Sequence, residues 1–129
     1  MKEPQWVPES AVIAIQQALI AEHGGTPGLI DAGLLSATLA RPKHSFCYSE
    51  NVTLFDLAAA YGYGLAKNHC FIDGNKRISL AVIDVFLRLN GYMLAAPEAE
   101  AVVMILGLVE ETENQDTLAV WIKDNSQQL

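Results

Sequence analysis

Apolar residues recur every three or four positions along most of the chain, and stretches rich in glycine, proline and polar residues interrupt this pattern. Such spacing predicts amphipathic helices joined by short loops, and no segment alternates strongly enough to predict a long strand. Only residues 91–95 are predicted to form a short extended piece. The sequence therefore predicts an all-α fold, with residues 1–129 in a single domain. The predicted helices are 8–23, 32–41, 54–68, 75–90, 97–113 and a last one that begins at Asp116 or Thr117.

Capping residues and helix breakers set several of these boundaries. Asp31 is suited to cap the second helix, and Pro42 is predicted to end it, because proline disrupts a helix interior. Residues 42–52 have no clear period, so we expect an exposed loop or flap there. Thr53 followed by Asp56 resembles a capping box, which predicts the start of the third helix.

The third and fourth predicted helices carry the best candidates for a core. Small residues from Ala58 to Gly64 would let another helix approach the third helix closely. The fourth helix has large apolar residues at helical spacing and is predicted to end at Gly91. The side chains predicted to be buried there are Ile78, Val82, Val85, Phe86 and Leu89, with Leu118, Trp121 and Ile122 facing inward from the last helix.

Composition and charge narrow the class of protein. The formal net charge of −7 makes a general affinity for nucleic acid improbable, and acidic residues are concentrated from Glu98 onward. We expect a solvated acidic surface there, with a docking face for a basic partner segment as the alternative. The first residues lack the apolar stretch of a secretion signal, and the longest apolar run, Val102 to Val109, is too short to cross a bilayer. These features predict a cytoplasmic protein with no membrane segment, in which Cys47 and Cys70 are free thiols.

The stretch from His69 to Arg77 is the part of the sequence that indicates chemistry. It combines five polar or ionisable residues with Gly74 in nine positions and lies just before a predicted helix. The start of a helix offers unpaired N–H groups and a positive dipole end, which favour a bound phosphate. Asn75, Lys76 and Arg77 would add donors and positive charge to this anion site.

Two further residues could make the anion site catalytic. Histidine exchanges protons readily near neutral pH, so His69 is a candidate general base. Asp73 is a candidate magnesium ligand, because one carboxylate together with substrate phosphate oxygens commonly holds this ion. Phe71 is predicted to anchor the loop in the core. Each residue alone also fits a helix cap, a turn or a solvated first helical turn, so their combination carries the functional hypothesis.

The stretch His69-Cys70-Phe71-Ile72-Asp73-Gly74-Asn75-Lys76-Arg77 resembles the Fic motif, HxFx(D/E)GN followed by a variable residue and Arg. The lysine at position 76, the variable position of the motif, resembles the residue found in the Doc branch of the family, the death-on-curing toxins. The segments His23 to Leu35, Ala40-Arg41-Pro42 and Phe86 to Tyr92 also resemble family sequences, so the likeness covers roughly residues 10–95. It implies the helical Fic/Doc fold, with the motif loop at the N-terminus of a central helix.

The resemblance also implies a function. Doc proteins are toxins of type II toxin–antitoxin systems that transfer the γ-phosphate of ATP to a hydroxyl group of elongation factor Tu, which arrests translation and growth. It implies ATP as substrate and Mg²⁺ as cofactor. His69 would be the base, Asp73 the metal ligand, and Gly74, Asn75, Lys76 and Arg77 the phosphate-binding residues, with Lys76 and Arg77 also stabilising developing charge.

Departures from the family pattern leave alternatives open. AMP-transferring members usually have glycine where this chain has Lys76, and a second arginine where it has Leu80, so both positions favour the kinase branch. Ile30 and Cys70 replace a common arginine and a common proline without removing a group that the chemistry needs. AMP transfer remains the alternative activity. A catalytically silent binding module that acts only through complex formation is the third.

Inhibition is expected to come from a partner. Autoinhibited family members contain an (S/T)xxxE(G/N) helix, and this chain has only the Glu50-Asn51 and Glu113-Asn114 pairs, neither preceded by Ser or Thr at the required spacing. The resemblance therefore implies a separate Phd-like antitoxin whose C-terminal tail folds as a helix in a groove of the toxin.

Overall fold

A computed structural model describes all residues from Met1 to Leu129 and confirms the all-α prediction, with one small sheet added. The elements in chain order are α1 (Glu9–His23), α2 (Ala32–Tyr48), α3 (Leu54–Asn68), α4 (Asn75–Leu89), β1 (Tyr92–Leu94), α5 (Glu98–Val109), α6 (Gln115–Asp124) and β2 (Ser126–Gln128). No helix is both long and apolar enough to span a membrane.

Helix α3 lies at the centre of the fold, where it packs against α2, α4, α5 and α6. Its small residues permit this, because a side-chain carbon at Gly62 would overlap Ile83 of α4, and Ala58 is fully buried. The capping box of Thr53 and Asp56 forms as predicted and starts the helix. The packing places the C-terminal end of α3 beside the start of α4, where the motif loop connects them.

The prediction that the second helix ends before Pro42 is wrong. Helix α2 continues through Pro42 to Tyr48, so only residues 49–53 connect it to α3. The lost hydrogen bond and ring clash of an internal proline cost about 3 kcal/mol. Packing offsets this cost, since Pro42 is buried and Phe46, one turn later, meets the ring of Trp6 edge-on, with 5.8 Å between ring centroids. Residues 42–48 therefore form no flap.

Smaller corrections concern the ends of helices. Leu89 was predicted to be buried but is 46% exposed, because it lies in the last turn of α4, while Ile83 and Leu87 are fully buried. Helix α5 ends at Val109 instead of residue 113, since residues 110–113 form a turn. The last helix begins at Gln115, not at Asp116 or Thr117, because Asn114 caps it.

The predicted extended piece at residues 91–95 is confirmed as β1, but its partner β2 was not predicted. The two strands are antiparallel, with Tyr92 opposite Gln128 and Leu94 opposite Ser126. The Ser-Gln-Gln sequence of β2 has no apolar alternation from which a strand could be recognised.

Candidate active site

The motif loop is held between two residues in left-handed backbone conformations. His69 caps the C-terminus of α3 with φ 47°, and Gly74 precedes α4 with φ 81°. Glycine adopts such a conformation without the steric cost that a side chain would add. The chain thereby reverses direction within a few residues. His69 and Asp73 remain exposed, while Phe71 between them is 1% exposed and belongs to the core.

Asn75 fixes the shape of this loop from the first turn of α4. Its Oδ1 accepts a hydrogen bond from the N–H of Phe71 at 3.1 Å, and its Nδ2 donates to the carbonyl of Phe71 at 2.9 Å. These two bonds orient the amide, so that Nδ2 also faces Nδ1 of His69 at 3.4 Å. The contact is at the long end of hydrogen-bond distances, and the role of the ring nitrogen in it depends on the tautomer of His69. Asn75 itself is only 8% exposed.

The start of α4 has the features of an anion site. The backbone N–H groups of Asn75, Lys76 and Arg77 make no hydrogen bonds within the protein, as is usual for a first helical turn. The side chains of Lys76 and Arg77 are exposed beside them. Unpaired N–H groups, the helix dipole and two cations together suit a phosphate group.

The loop between α1 and α2 is attached to the motif, a contact that the sequence did not reveal. Leu29 pairs with Phe71 in an antiparallel bridge, and the N–H of Ile72 donates to the carbonyl of Gly28 at 3.0 Å. The N–H of Thr26 donates to Oδ2 of Asp73 at 2.7 Å. This loop therefore borders the motif and contacts its carboxylate.

Gln16 of α1 joins the same two segments. It is 1% exposed, its Nε2 donates to the carbonyls of Thr26 at 3.4 Å and Asp73 at 3.3 Å, and its Oε1 accepts from the N–H of Gly28 at 3.3 Å. Sequence reasoning missed this residue, because a glutamine in an amphipathic helix is usually on the solvent side. The available signal was its spacing, one helical turn after Val12 on the apolar face.

A pocket of about 800 Å³ opens over the motif. The structure brings together in its lining all the predicted site residues except Phe71. Lys67, which is near them in sequence, is not part of the lining and pairs instead with Glu111 at 3.1 Å. The other side of the pocket is mostly apolar, with two carboxylates, Asp84 and Glu98. The lining from the motif is His69, Ile72, Asp73, Gly74, Asn75, Lys76 and Arg77, and the apolar side includes Leu80, Leu94, Ala101, Val102, Ile105 and Leu106.

The donor set around Asp73 fits a magnesium ion held largely by its substrate. Nowhere do three or more His, Cys, Asp or Glu residues gather closely enough to hold a metal by themselves. The Asp73 carboxylate lines the pocket, and its Oδ1 makes no hydrogen bond with the protein. Magnesium commonly binds through one or two carboxylates, phosphate oxygens and water, so this single carboxylate beside an anion site is suitable.

Comparisons with a family model and with individual proteins point to the same protein family. A family model described as the Fic/DOC family matches residues 6–87, which include the whole motif. The "Protein kinase doc" of Escherichia phage P1 is 39% identical over 80 residues, which cover 62% of this chain and 64% of that protein. The "Toxin Doc" of Mycolicibacterium smegmatis is 43% identical over 74 residues, which cover 57% of each. The matched part thus spans less than two thirds of either relative.

Proposed function

Because the chain belongs to the Fic/DOC family, we propose that it is the toxin of a type II toxin–antitoxin pair and a protein kinase. It transfers the γ-phosphate of ATP to a Ser or Thr hydroxyl of a translation factor, expected to be elongation factor Tu, and so arrests translation in the cytoplasm. The names "Protein kinase doc" and "Toxin Doc" of two relatives support this proposal. The observation that carries it is one pocket that joins a histidine, a carboxylate and a cationic helix N-terminus.

The first chemical role belongs to His69. The hydroxyl oxygen of the target attacks the γ-phosphorus of ATP, the bond from that phosphorus to the β–γ bridging oxygen breaks, and ADP leaves. The proton of the hydroxyl passes to the unprotonated ring nitrogen of His69. Asn75 restrains the ring through its amide, 3.4 Å from Nδ1. Exposure of His69 at the pocket leaves room for a protein substrate to present its hydroxyl.

The remaining motif residues act on the phosphate groups. The free N–H groups of the first turn of α4, with Gly74 at its cap, can hold phosphate oxygens, while Lys76 and Arg77 balance the charge that builds up during transfer. Asp73 would hold Mg²⁺, which would supply neutralisation of phosphate charge when bound. Phe71 contributes by fixing the loop in the core.

The choice between kinase and AMP transferase depends on which phosphorus faces the target. Lys76 and Leu80 stand where AMP-transferring members usually have glycine and arginine, and both line the pocket. A long charged side chain at position 76 occupies space that glycine would leave for a phosphate group. The nucleotide would then bind in another orientation and present its terminal phosphate.

The test is transfer from ATP labelled at either the α- or the γ-phosphate to purified elongation factor Tu, with magnesium and without antitoxin. We expect γ-label alone on the factor, and His69→Ala should reduce its rate by about 100-fold or more. His44→Ala, which changes an exposed histidine of α2 outside the pocket, is the matched control and should retain activity. Transfer of α-label would identify an AMP transferase. Absence of either label, in cell lysate as well, would favour the silent binding module.

We also propose that a Phd-like antitoxin inhibits this enzyme by placing a C-terminal helix in a groove of the toxin. The apolar side of the pocket, formed partly by α5, is a suitable surface for a helix with an apolar face. Co-expression of the cognate antitoxin should restore growth and abolish γ-label transfer. Growth arrest that persists with the antitoxin present would contradict this part of the proposal.

A further inference from the structure

Gln16 lies outside the motif, on α1, yet it bonds to both chain segments that hold the motif carboxylate. We propose that Gln16 is a positioning residue for Asp73 and thereby sets the affinity of the site for the magnesium–nucleotide complex. This inference rests on the proposed function, because it assigns to Asp73 a role in holding that complex.

The hydrogen bonds of Gln16 define two constraints on Asp73. The first is direct, since Nε2 donates to the carbonyl oxygen of Asp73 at 3.3 Å. The second passes through the adjacent loop, where Gln16 binds the carbonyl of Thr26 and the N–H of Gly28. Thr26 in turn donates its N–H to the Asp73 carboxylate at 2.7 Å. Both the backbone and the carboxylate of Asp73 are therefore oriented by contacts that converge on one side chain.

No other side chain of α1 forms hydrogen bonds with these two segments. Gln16 is the helix's one buried polar side chain, whereas its neighbour Gln17 is exposed and makes no side-chain hydrogen bond. A buried amide is stable only when its donors and acceptor are paired, so Gln16 constrains the groups it touches. Burial contributes little to holding this loop in place, because Thr26 and Gly28 are exposed. Loss of the Gln16 amide would leave the backbone bonds of Gly28 and Ile30 to the motif in place, but would remove the bonds that restrain Thr26, whose N–H faces Asp73.

The consequence for binding is specific. Residues that orient a metal ligand typically change metal affinity by about 10- to 100-fold when mutated. Gln16 does not contact the pocket, so the rate of phosphoryl transfer at saturating magnesium should remain close to that of the wild type. A shift in magnesium dependence without a matching loss of maximal rate separates a positioning role from a general loss of structure.

The experiment uses the full chain with Gln16→Met, which keeps the volume but loses the amide, and Gln16→Glu, which keeps the acceptor for Gly28 but loses the donor. Gln17→Met and Gln17→Glu are the matched controls on the exposed face. Calorimetry measures binding of a non-hydrolysable ATP analogue as magnesium is titrated. Transfer of γ-label over the same magnesium range gives the maximal rate. Amide hydrogen exchange at Thr26, Gly28 and Ile72 reports on the loop.

We expect both Gln16 variants to need about tenfold more magnesium for half-saturation and to show faster exchange at Thr26 and Ile72, with unchanged controls. Exchange at Gly28 should be faster in Gln16→Met alone, because Gln16→Glu keeps the acceptor of that amide. Gln16→Glu keeps the inference testable if Gln16→Met fails to fold. Wild-type magnesium dependence in a folded variant would overturn the inference and leave the kinase proposal intact. A uniform loss of rate at every magnesium concentration would overturn it as well. A wild-type protein that binds the magnesium nucleotide but labels no protein would refute the kinase proposal alone, since the binding comparison remains valid.

Discussion

Replacing Asn75 with alanine should both destabilise the fold and impair catalysis. The Asn75 side chain satisfies the N–H and the carbonyl of Phe71, at 3.1 and 2.9 Å, and Phe71 is 1% exposed. A buried polar group without a partner costs about 1–3 kcal/mol, so two such groups would cost about 2–6 kcal/mol if they stayed dry. The site is close to the pocket, where water can replace part of the loss. We therefore expect the free energy of unfolding to fall by about 2–4 kcal/mol.

Asn90, at the other end of α4, provides a matched control. Its Oδ1 accepts from the N–H of Gln5 at 2.8 Å, and its Nδ2 donates to the carbonyls of Gln5 and Phe86. Asn90→Ala removes the same side-chain atoms and a similar set of backbone bonds, but at a more exposed place outside the pocket. Because water can replace its partners, we expect a smaller loss of about 1 kcal/mol.

The assay is urea unfolding followed by circular dichroism, combined with γ-label transfer at a temperature where both variants are folded. Asn75→Ala should lose most of its transfer activity, since His69 is no longer restrained and the loop is free to move, whereas Asn90→Ala should retain it. If Asn75→Ala lowers the free energy of unfolding by less than about 0.5 kcal/mol, the argument that the unpaired N–H and carbonyl of Phe71 are costly is wrong, because changes of that size are usual for ordinary surface substitutions. Full activity in Asn75→Ala would refute its role in restraining His69.

Three further predictions follow from packing and burial. Gly62→Ala, whose methyl group would overlap Ile83, should lower the free energy of unfolding by about 1–3 kcal/mol in urea titrations, despite the better helix propensity of alanine. Burial raises the pKa of the Cys70 thiol above its usual value and shields it from reagents, while Cys47 is exposed. Iodoacetamide at pH 8 should therefore label Cys47 alone in the folded protein and both cysteines in urea. Modification of Cys70 without unfolding would contradict this prediction. Gly25 has φ 115°, and a methyl group there would lie 3.3 Å from the Asp73 carboxylate. Gly25→Ala should therefore weaken magnesium-dependent transfer. Unchanged transfer would show that this loop need not hold its observed shape.

Local signals explain which parts of the fold could be predicted. The Asp31 cap and the Thr53–Asp56 capping box are formed by residues three apart in sequence, and both are present in the structure. The predicted apolar face of α4 is likewise buried at Ile78, Val82 and Phe86, although Val85 is only half-buried. These features depend on neighbouring residues, so the sequence pattern specifies them directly.

Pro42 shows why local signals can fail. Proline lowers the intrinsic stability of a helix, but whether the helix ends there depends on the residues beyond it. Phe46 contacts Trp6, which lies forty residues earlier and also stacks against Phe86 at 6.0 Å between ring centroids. Spacing within α2 contains no information about that contact, so tertiary packing overrides the local preference.

In the candidate active site, the sequence reveals the reactive groups but not the residues that position them. Residues His69 to Arg77 are contiguous, so their combination of base, carboxylate and cations is visible in the sequence. The groups that hold them lie elsewhere: Gln16 is fifty-seven residues from Asp73, and Thr26 is forty-seven. A hydrogen bond across such a separation leaves no periodic signal. The spacing of Gln16 from Val12 indicates that it faces inward, but not which groups it binds. A motif therefore indicates which reaction a site is suited for, while the position of its carboxylate depends on distant residues that only the fold brings into contact.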